Sequence, residues 1–547
     1  MMRLEPKIIE LLAQRGITSE EDLEEFLSSR PQKTHDPFLL YNMREGVDLV
    51  MDAIRSGDKI CIYGDYDVDG ITSTVIMMEV LSHLIDRDRL MYYIPSRFEE
   101  GYGLHCSSID RIREAGANTI ITVDCGSVSV KEVDYIKSLG MKVLVTDHHT
   151  VGDQVADCLV INPKQPQDTY PCEHIAGCGV AFKLAQALVA ENSLPTSVTA
   201  GLLDMLAIGT VADLVPLVGE NRTFVKYGLR TVNVGRRESL LQLINAISLH
   251  PGKITAENIS FGIGPHINAV GRMQHAREAV ELFLTHDPAV RQEKIQLLIR
   301  CNDQRKQVQE DIFQRCMRMA EDEYSEDHFL LLVPENGHEG VAGNVAGKLK
   351  EALYKPVVVF TREGGGIIKG SGRSIDGINI YDELAKNKAL FQAFGGHAAA
   401  CGITMREEDL PALRQALRRQ MEMLLEKDPE IFVEKKRADL SLRPQDISMN
   451  MAQQLELLEP CGMGNEKPLT MVTGHARWPR RIGKNGQFLR FQIALENGNS
   501  LPAVAFRNAD EIEEFADGEA CHFLGNLSVN VWNGRSSLQF VAEEAIG

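Results

Sequence analysis

The stretch ICIYGDYDVDGITST, residues 60–74, decides the fold and poses the first chemical question. An apolar run gives way to Asp65, Asp67 and Asp69, and a helical pattern follows. A strand that turns directly into a helix is the first unit of a parallel α/β sheet. Alternate residues of an extended chain face one side, so we expect the three carboxylates to lie close together. Carboxylates so close repel each other unless a cation lies between them, and the stretch therefore predicts a metal site.

The composition is that of a globular protein with several domains. The chain has 547 residues, of which 44% are hydrophobic and 25% charged. A net charge of −19 argues against coating nucleic acid through bulk electrostatics, although a narrow basic channel remains compatible with it. No apolar run reaches the roughly 18–20 residues of a membrane span. The amphipathic start and eleven scattered cysteines lead us to expect no signal peptide, buried thiols and a cytoplasmic location.

Repeated strand-helix units continue after the opening stretch. NTIITVD ends at Asp124 and MKVLVTD ends at Asp147, each after a short apolar strand pattern. These repeats predict a mainly parallel sheet, and ligands of such sheets gather at the carboxyl ends of the strands. We therefore expect Asp124 and Asp147 to lie at the same sheet edge as the three aspartates of the opening stretch.

Nitrogen and oxygen ligands complete the predicted centre. His148 and His149 follow directly on Asp147, and Asp213 lies in the apolar segment AIGTVADLVPL. A lone histidine pair is more often structural, and a lone aspartate is more often a helix cap or a surface charge. Their convergence with Asp124 favours two Mn²⁺ or Mg²⁺ ions, because carboxylates can bridge such ions. Zinc is disfavoured, since structural zinc sites usually recruit cysteine.

Five motifs in order carry a resemblance to a known family. GDYDVDG, VDCGS, DHH and GTVADLVPL resemble the signature motifs of the DHH phosphoesterases. GGHAAACG, residues 395–402, resembles the glycine-rich motif of the DHH-associated domain. With GPHINAVGRM and a β-rich C-terminal region, the sequence is most similar to the RecJ-type single-strand DNA exonucleases of that family. The resemblance covers nearly the whole chain.

The resemblance and the residue patterns together predict an α/β fold in five parts. The expected parts are an N-terminal helical segment (1–45), a mainly parallel-sheet DHH catalytic domain (46–287), a long connecting helix (288–322), a second α/β, DHH-associated substrate-binding domain (323–431) and a small OB-like β-barrel that binds nucleic acid (432–547). The helix prediction rests on apolar residues at three- and four-residue steps, and the barrel prediction on short alternating strands between turns.

The resemblance also implies the residues of the metal centre. The expected catalytic residues are Asp67, Asp69, Asp124, His148, His149 and Asp213, and all of these except His149 are expected to bind the two metal ions. Asp65 has two interpretations, as a further ligand or as a residue just outside the coordination sphere. Shorter relatives carry histidine at the position of Tyr63.

Substrate binding is expected from residues outside the metal centre. The expected residues are Arg97, Arg272, Ser371, Arg373, Gly395, Gly396, His397, Arg481 and Lys484. Arg272 is expected in a stiff turn that helps to bind a 5′ end. The small residues of GGHAAACG let backbone N–H groups approach a phosphate, although the pattern alone fits a close helix contact equally well. The basic, aromatic stretch ARWPRRIGKNGQFLRF, residues 476–491, fits either a single-strand platform or a solvated hairpin.

The implied activity is that of a metal-dependent 5′-to-3′ exonuclease. It would hydrolyse phosphodiester bonds of single-stranded DNA with a water activated between two metals, in DNA repair and recombination. The expected partners of this monomer are single-stranded DNA, a single-strand-binding protein and a helicase. One alternative is a DHH phosphodiesterase for short oligonucleotides or cyclic dinucleotides, although such relatives usually lack the C-terminal β domain. Another is a non-catalytic DHH scaffold, which the retained carboxylates and histidines disfavour.

Overall fold

The computed structural model describes residues 4–152, 154–515, 518–532 and 534–546. The chain forms two compact units. The first unit comprises Met1–Pro265, Ala279–Arg291 and Arg437–Gly547, and the second comprises His266–Glu278 and Gln292–Lys436. Within the described residues, no helix is both long and apolar enough to cross a membrane.

A five-stranded, fully parallel sheet lies in the first unit. Its strands have the order β2-β1-β3-β4-β5. They are β1 (Ile60–Gly64), β2 (Leu90–Tyr93), β3 (Thr119–Val123), β4 (Lys142–Thr146) and β5 (Leu159–Ile161). Every residue of β1 and β3 is buried, as expected for strands that are covered on both faces of the sheet. The predicted parallel sheet is thereby confirmed.

Helices surround this sheet and precede it. They are α1 (Pro6–Gln14), α2 (Glu20–Leu27), α3 (Met43–Arg55), α4 (Val68–Leu81), α5 (Cys106–Glu114), α6 (Val130–Ser138), α7 (Gly177–Glu191), α8 (Ser197–Ala200), α9 (Leu203–Ala212), α10 (Gly219–Val234), α11 (Glu238–Ala246) and α12 (Ala256–Asn258). A π-helical turn, Ile259–Ile263, leads into α13 (Gly264–Met273), which is followed by α14 (Arg277–Leu284) and α15 (Pro288–Asp322). The predicted long helix over 288–322 is therefore present as α15.

The expectation of a stiff turn around Arg272 is wrong, because this residue lies in α13. Pro265 does not pin a loop, because the helical backbone is continuous from Ala256 through the π-helical turn into α13. The π-helical turn interrupts the regular α-helical hydrogen bonds, so a residue without an N–H is accommodated directly after it. Ile267 and Val270 are fully buried at a three-residue spacing, which is typical of a helix with one buried face.

A mixed sheet forms the centre of the second unit, with the strand order β6-β7-β8-β10-β9. Its strands are β6 (Leu330–Leu332), β7 (Val357–Gly364), β8 (Ile367–Arg373), β9 (Phe391–His397) and β10 (Ala400–Arg406), and its helices are α16 (Glu339–Leu353), α17 (Ile380–Ala385) and α18 (Leu410–Lys427). Only the β6–β7 pair is parallel.

A closed β-barrel ends the chain. It is built from β12 (Thr470–Ile482), β13 (Phe488–Ala494), β14 (Ser500–Ala505), β15 (Cys521–Trp532) and β16 (Arg535–Ile546), with β11 (Leu440–Leu442), α19 (Met449–Glu456) and α20 (Ala509–Glu514) beside it. The order is β12-β13-β14-β16-β15, and β15 pairs again with β12, which closes the barrel and confirms the OB-like prediction.

The hydrophobic core of the barrel includes residues from the opposite end of the sequence. Ile8, Leu11 and Leu12 of α1 and Phe26 of α2 belong to the same buried cluster as the barrel residues Phe491 and Phe523. The N-terminal helices therefore share a core with the barrel, which the sequence did not predict.

Candidate metal centre

The aspartates of the opening stretch lie on the turn between β1 and α4. The strand ends at Gly64, so these residues do not occupy alternate strand positions as expected. Asp67 instead caps α4, and its Oδ1 accepts hydrogen bonds from the N–H groups of Asp69 (2.9 Å) and Gly70 (3.1 Å). A Cβ on Gly70 would lie 2.5 Å from the backbone oxygen of Asp65. Glycine at this position therefore allows the turn to close tightly enough to gather the carboxylates.

Asp124 occupies the end of β3 in a left-handed backbone conformation, with φ of 62°. Such a conformation costs about 1 kcal/mol or more in a residue other than glycine and clusters at functional sites. Gly177, the first residue of α7, closes over this side chain, because a Cβ there would lie 2.5 Å from Asp124 Oδ1. The N–H groups of Gly177 and Cys178 donate to the Asp69 carboxylate at 2.7 and 2.8 Å. The start of α7 thus fixes two of the expected ligands.

Asp147 follows β4 and orients the histidine pair. Its carboxylate accepts hydrogen bonds from the N–H groups of Ser127 and His148 at 2.9 and 2.8 Å, and lies 2.8 Å from Nδ1 of His149. Burial opposes ionisation, but these bonds hold the pKa of Asp147 below its usual range. The same contact with Asp147, against the opposing effect of burial, raises the pKa of His149. The contact with Asp147 therefore fixes the orientation of the His149 ring. The strand-end position was the signal for Asp147, although it was not among the expected site residues.

His148 lies at the centre of the expected ligands. Its Nε2 is 3.1 Å from Asp124 Oδ1, 3.6 Å from Asp213 Oδ2 and 3.8 Å from Asp69 Oδ2. Burial lowers the pKa of His148 to about 4, so the ring is neutral at physiological pH and retains a lone pair for a metal. Asp213 reaches this point from the C-terminal end of α9, where the sequence had placed it in an apolar segment.

Three groups of donor atoms could each hold an ion, with ligand atoms within 4.8 Å of one another. The groups are Asp65, Asp67 and Asp124; Asp124, His148 and His149; and Asp69, His148 and Asp213. Asp124 and His148 each belong to two groups, so the three form one continuous set. The expected residues of the metal centre are therefore brought together at one edge of the parallel sheet.

The chemistry of this set fits divalent metal ions. Burial, together with repulsion from neighbouring carboxylates, raises the pKa of Asp65, Asp69 and Asp124 and raises that of Asp213 to about 9. Asp65 Oδ1, Asp124 Oδ1 and both ring nitrogens of His148 are buried and make no hydrogen bond. Such orphaned atoms cost free energy unless something binds them. Oxygen and imidazole donors without cysteine suit Mn²⁺ or Mg²⁺.

Three segments of the chain match known protein families. Residues 59–210 match the DHH family, N-terminal domain, residues 326–423 match the DHHA1 domain, and residues 438–544 match the RecJ OB domain. The single-stranded-DNA-specific exonuclease RecJ of Escherichia coli (strain K12) is 31% identical, over 99% of this chain and 96% of that protein. The chain belongs to the RecJ family.

Two further RecJ proteins support this assignment. RecJ of Bacillus subtilis (strain 168) is 35% identical over the whole of this chain and 68% of its own length. The crystal structure of RecJ in complex with Mn²⁺ from Thermus thermophilus matches with a TM-score of 0.82 and 29% identity, over 100% of this chain and 76% of that one. The predicted family and fold class are thereby confirmed.

Arg97, one of the residues predicted to bind substrate, contacts the turn that carries the clustered aspartates. Its guanidinium stacks over the ring of Tyr66 at 5.0 Å, between two of the clustered aspartates in sequence. Tyr102, which follows closely, places its hydroxyl 3.0 Å from Nδ1 of His149. The buried Tyr63 donates to the carbonyl of Gly103 at 2.9 Å and so anchors this loop. Tyr102 therefore belongs to the surroundings of the metal centre.

Arg272 and Arg373 of the second unit both reach the first turns of α16. Arg272 Nη1 donates to the carbonyl of Gly340 at 2.7 Å. Arg373 Nη2 lies 3.1 Å from the position that a Cβ on Gly343 would occupy. Burial lowers the pKa of Arg373, and no carboxylate in the described residues lies within ion-pair distance of it. Ser371 precedes it on β8 by two residues.

The residues of GGHAAACG form a β-hairpin. Gly395, Gly396 and His397 end β9, the edge strand of the second sheet, and all three are exposed. Gly396 pairs with Cys401 of β10 and has φ of 145°. A Cβ on Gly396 would lie 2.4 Å from the carbonyl oxygen of Ala400, so close strand contact requires glycine there.

The basic stretch of the barrel divides into two kinds of arginine. Arg481 pairs with Glu513 and Asp510, so its charge is already neutralised. Arg480 lies directly opposite Arg490 on β13, and neither makes an ion pair with any described residue. Lys484 lies in the exposed turn between β12 and β13.

Trp478 is presented by an irregularity in the same strand. The register of β12 against β13 shifts by one residue between Arg477 and Arg480, which is a β-bulge. Trp478 lies within the bulge with φ of 53°, and 73% of it is exposed. Sequence reasoning identified this stretch as basic and aromatic but did not separate the free arginines from the paired one.

Proposed function

We propose that this chain hydrolyses single-stranded DNA from its 5′ end with the aid of two Mn²⁺ or Mg²⁺ ions. The observation that carries this proposal is the set of buried, orphaned carboxylate and imidazole atoms at the carboxyl edge of the parallel sheet. Membership of the RecJ family supports the substrate class, because the curated relatives are named as exonucleases specific for single-stranded DNA.

The proposed metal ligands are the residues predicted from the sequence: Asp67, Asp69, Asp124, His148 and Asp213. Asp65 is proposed as a further donor, since its free Oδ1 belongs to one of the three groups. Bound ions would neutralise charge that develops on the phosphate and would acidify the attacking water. Asp124 belongs to two of the donor groups, which supports the proposal that one carboxylate serves both ions.

The proposed role of His149 is to contact the scissile phosphate. Asp147 fixes the ring from one side through Nδ1, and this contact, against the opposing effect of burial, raises the pKa of His149. Nδ1 lies 3.9 Å from Asp124 Oδ1, the carboxylate that two donor groups share. A hydrogen bond from the imidazole to a phosphate oxygen would orient the substrate beside this carboxylate.

The direction of digestion is proposed to depend on Arg97, Arg272, Ser371 and Arg373 as the residues that bind the 5′ end. The N-terminal turns of a helix carry partial positive charge and favour anions. Arg272 and Arg373 both reach the first turns of α16. A terminal phosphate placed there would gain charge-assisted hydrogen bonds from arginine. Gly395, Gly396 and His397 are proposed to contact the strand along the exposed edge of β9.

The barrel is proposed to hold the strand farther from its reacting end. Like charges directly opposite in a strand pair are unfavourable, and a phosphate between Arg480 and Arg490 would remove that penalty. Trp478 offers an exposed ring on which a base can stack, a contact worth about 1–3 kcal/mol. Lys484 adds a positive charge in the neighbouring turn. Arg481 is assigned to the packing of α20 against the barrel instead, because its charge is already neutralised by carboxylates.

The five parts expected from the sequence remain our proposal for the domain boundaries. We propose also that the chain acts as a monomer in the cytoplasm, together with a single-strand-binding protein and a helicase, in DNA repair and recombination. The two protein partners follow from the substrate, because single strands in cells are coated by proteins and are generated by unwinding.

Digestion of end-labelled strands tests the proposal. DNA and RNA strands labelled at either end are incubated with Mn²⁺ or Mg²⁺, and we expect a 5′ label on DNA to be released first as a short product. Release of the 3′ label first would contradict the direction. Faster hydrolysis of cyclic dinucleotides or very short oligonucleotides than of long strands would favour the alternative phosphodiesterase. No hydrolysis of any substrate would favour the non-catalytic scaffold.

A further inference from the structure

Two cations on one face of α10 bind backbone carbonyls instead of carboxylates. Arg222 is 3% exposed, and its guanidinium donates to the carbonyls of Leu458 and Pro460 at 3.0 Å and of Glu459 at 2.9 Å. Weaker bonds reach the carbonyls of Phe26 and Leu457 at 3.3 and 3.4 Å. The guanidinium also stacks on the ring of Phe26 at 3.8 Å.

Lys226 lies one helical turn after Arg222 and extends the same face. Its Nζ donates to the carbonyls of Phe26 at 2.9 Å and Ser28 at 2.8 Å. In the part of the chain that the structure describes, no carboxylate lies within ion-pair distance of either cation. Burial, followed by repulsion from Arg222, lowers the pKa of Lys226 to about 7.

The carbonyls that the two cations bind lie at the C-terminal ends of two helices or directly after them. Phe26 lies in the last turn of α2, and Leu457 is the C-terminal cap of α19. The last carbonyls of a helix lack partners inside it and carry the negative end of its dipole. Phe26 and Leu458 also belong to the hydrophobic core of the barrel. Arg222 and Lys226 thus connect α10 to two elements that pack with the barrel.

The other side of α10 leads to the metal centre. A Cβ on Gly228 would lie 2.3 Å from the Cβ of Ala207, so α10 packs tightly on α9. The residue that caps the C-terminal end of α9 is Asp213, an expected metal ligand. Leu217, four residues farther on, donates its N–H to the carbonyl of Met463 at 2.8 Å. A short, packed path therefore runs from the barrel side through α10 to the metal centre.

A cavity of about 520 Å³ lies beside these contacts. Its walls include Arg15, Lys33, His174, Asn221 and Arg222. A continuous apolar interface would fix the barrel through buried area alone, whereas a cavity interrupts packing and removes the contacts across it. The hydrogen bonds of Arg222 therefore contribute more than apolar packing to holding the barrel in place in this region.

We propose that Arg222, supported by Lys226, is a positioning residue that fixes the barrel relative to the metal centre. The barrel and the sheet domain belong to one compact unit, so a strand bound on the barrel would present its end to the metal centre at high effective concentration. The inference rests on the proposed function, since it concerns long strands that engage both regions. A very short oligonucleotide does not reach the barrel and does not depend on this contact.

The test compares Arg222→Met with Arg222→Lys and with the control Arg230→Met in the full chain. Arg230 lies on the same helix but is exposed. For Arg222→Met we expect KM on a long strand to rise roughly tenfold, with kcat and the hydrolysis of a very short oligonucleotide nearly unchanged. Lysine can donate to at most three carbonyls, so Arg222→Lys should recover part of the lost affinity. Arg230→Met should behave as the wild type.

Hydrogen exchange provides a second measurement that does not depend on activity. In Arg222→Met we expect faster exchange in residues 457–465 and 26–28, while β3 keeps its protection. Unchanged exchange together with unchanged KM would overturn the proposal, and so would equal losses on long and short substrates. If the wild type hydrolyses neither substrate, the proposed function fails, and the exchange measurement alone decides whether Arg222 fixes the barrel.

Discussion

The carboxyl edge of the parallel sheet and the basic stretch of the barrel were both recognised from short sequence motifs. Only at the sheet edge did the sequence predict which residues lie together. Asp124 and Asp147 end neighbouring strands, and parallel topology brings such ends to one edge whatever happens elsewhere. In the barrel, Glu513 and Asp510 of α20 neutralise Arg481 from a separate element of the sequence. The run of basic residues therefore predicted a positively charged surface on the barrel, but not which of its arginines form ion pairs.

The comparison teaches that a motif is informative when the topology itself carries its residues to a common point. Each predicted ligand of the metal centre is tied to a strand end or a helix end. The turn of GDYDVDG, for example, is set by the cap that Asp67 makes on α4. The neighbours of a residue within a strand, such as Arg480, depend on which other elements of the fold pack beside that strand. The following predictions test this contrast, beginning with the largest expected effect.

Asp124→Asn should abolish hydrolysis, with a loss of several orders of magnitude in rate, because one carboxylate serves two donor groups. Asparagine tolerates the left-handed backbone at this position and removes only the charge. The measurement is the initial rate on a long single strand at saturating Mn²⁺. The exposed Asp134 on α6 provides the control, and Asp134→Asn should be fully active. A rate near that of the wild type in Asp124→Asn would remove this residue from the centre.

Asp147→Asn should lower the rate about 10- to 100-fold, since groups that orient active residues have effects of this size. The folded-state pKa of His149 is raised by the contact with Asp147, so it should fall in the variant, and the proton should be lost at lower pH. NMR titration of His149 in wild type and variant measures this shift. An unchanged pKa for His149, with a reduced rate, would show that Asp147 acts in another way.

How much the sequence could predict differs between these two residues. Asp124 was predicted from its strand end and from the family motif. Asp147 occupied an equivalent position, but its role depends on hydrogen bonds to Ser127 and His149 that no periodicity reveals. Arg272 was predicted in a turn but lies in α13, because the π-helical turn continues the helix past the glycine-proline pair. The shared core of α1 and the barrel joins sequence ends that no local pattern connects.

Trp478→Ala should weaken the binding of long single strands by about 1–3 kcal/mol, the range measured for base stacking on an aromatic ring. Hydrolysis of a very short oligonucleotide should remain unchanged, because the ring lies on the barrel. Equilibrium binding to a long strand in the presence of Ca²⁺, with the fold checked by circular dichroism, gives the affinity. Equal affinity in variant and wild type would indicate that the exposed ring does not contact DNA.

The smallest expected effect separates the two kinds of arginine. Arg480→Ala should reduce the slope of log K against log salt by about 1, as expected for the loss of one phosphate contact. Arg481→Ala should leave the slope unchanged, because Glu513 and Asp510 already neutralise that charge. Binding is measured over a series of salt concentrations for both variants. The assignment would be reversed if Arg481→Ala, and not Arg480→Ala, changed the slope.

Calorimetric titration with Mn²⁺ tests the central claim most directly, that the buried aspartates and His148 form one two-metal centre. The account predicts two ions per chain for the wild type, loss of tight binding of at least one ion in Asp124→Asn, and two ions in Asp134→Asn. Full activity in a protein that binds no Mn²⁺ or Mg²⁺, or unchanged binding of two ions in Asp124→Asn, would contradict it.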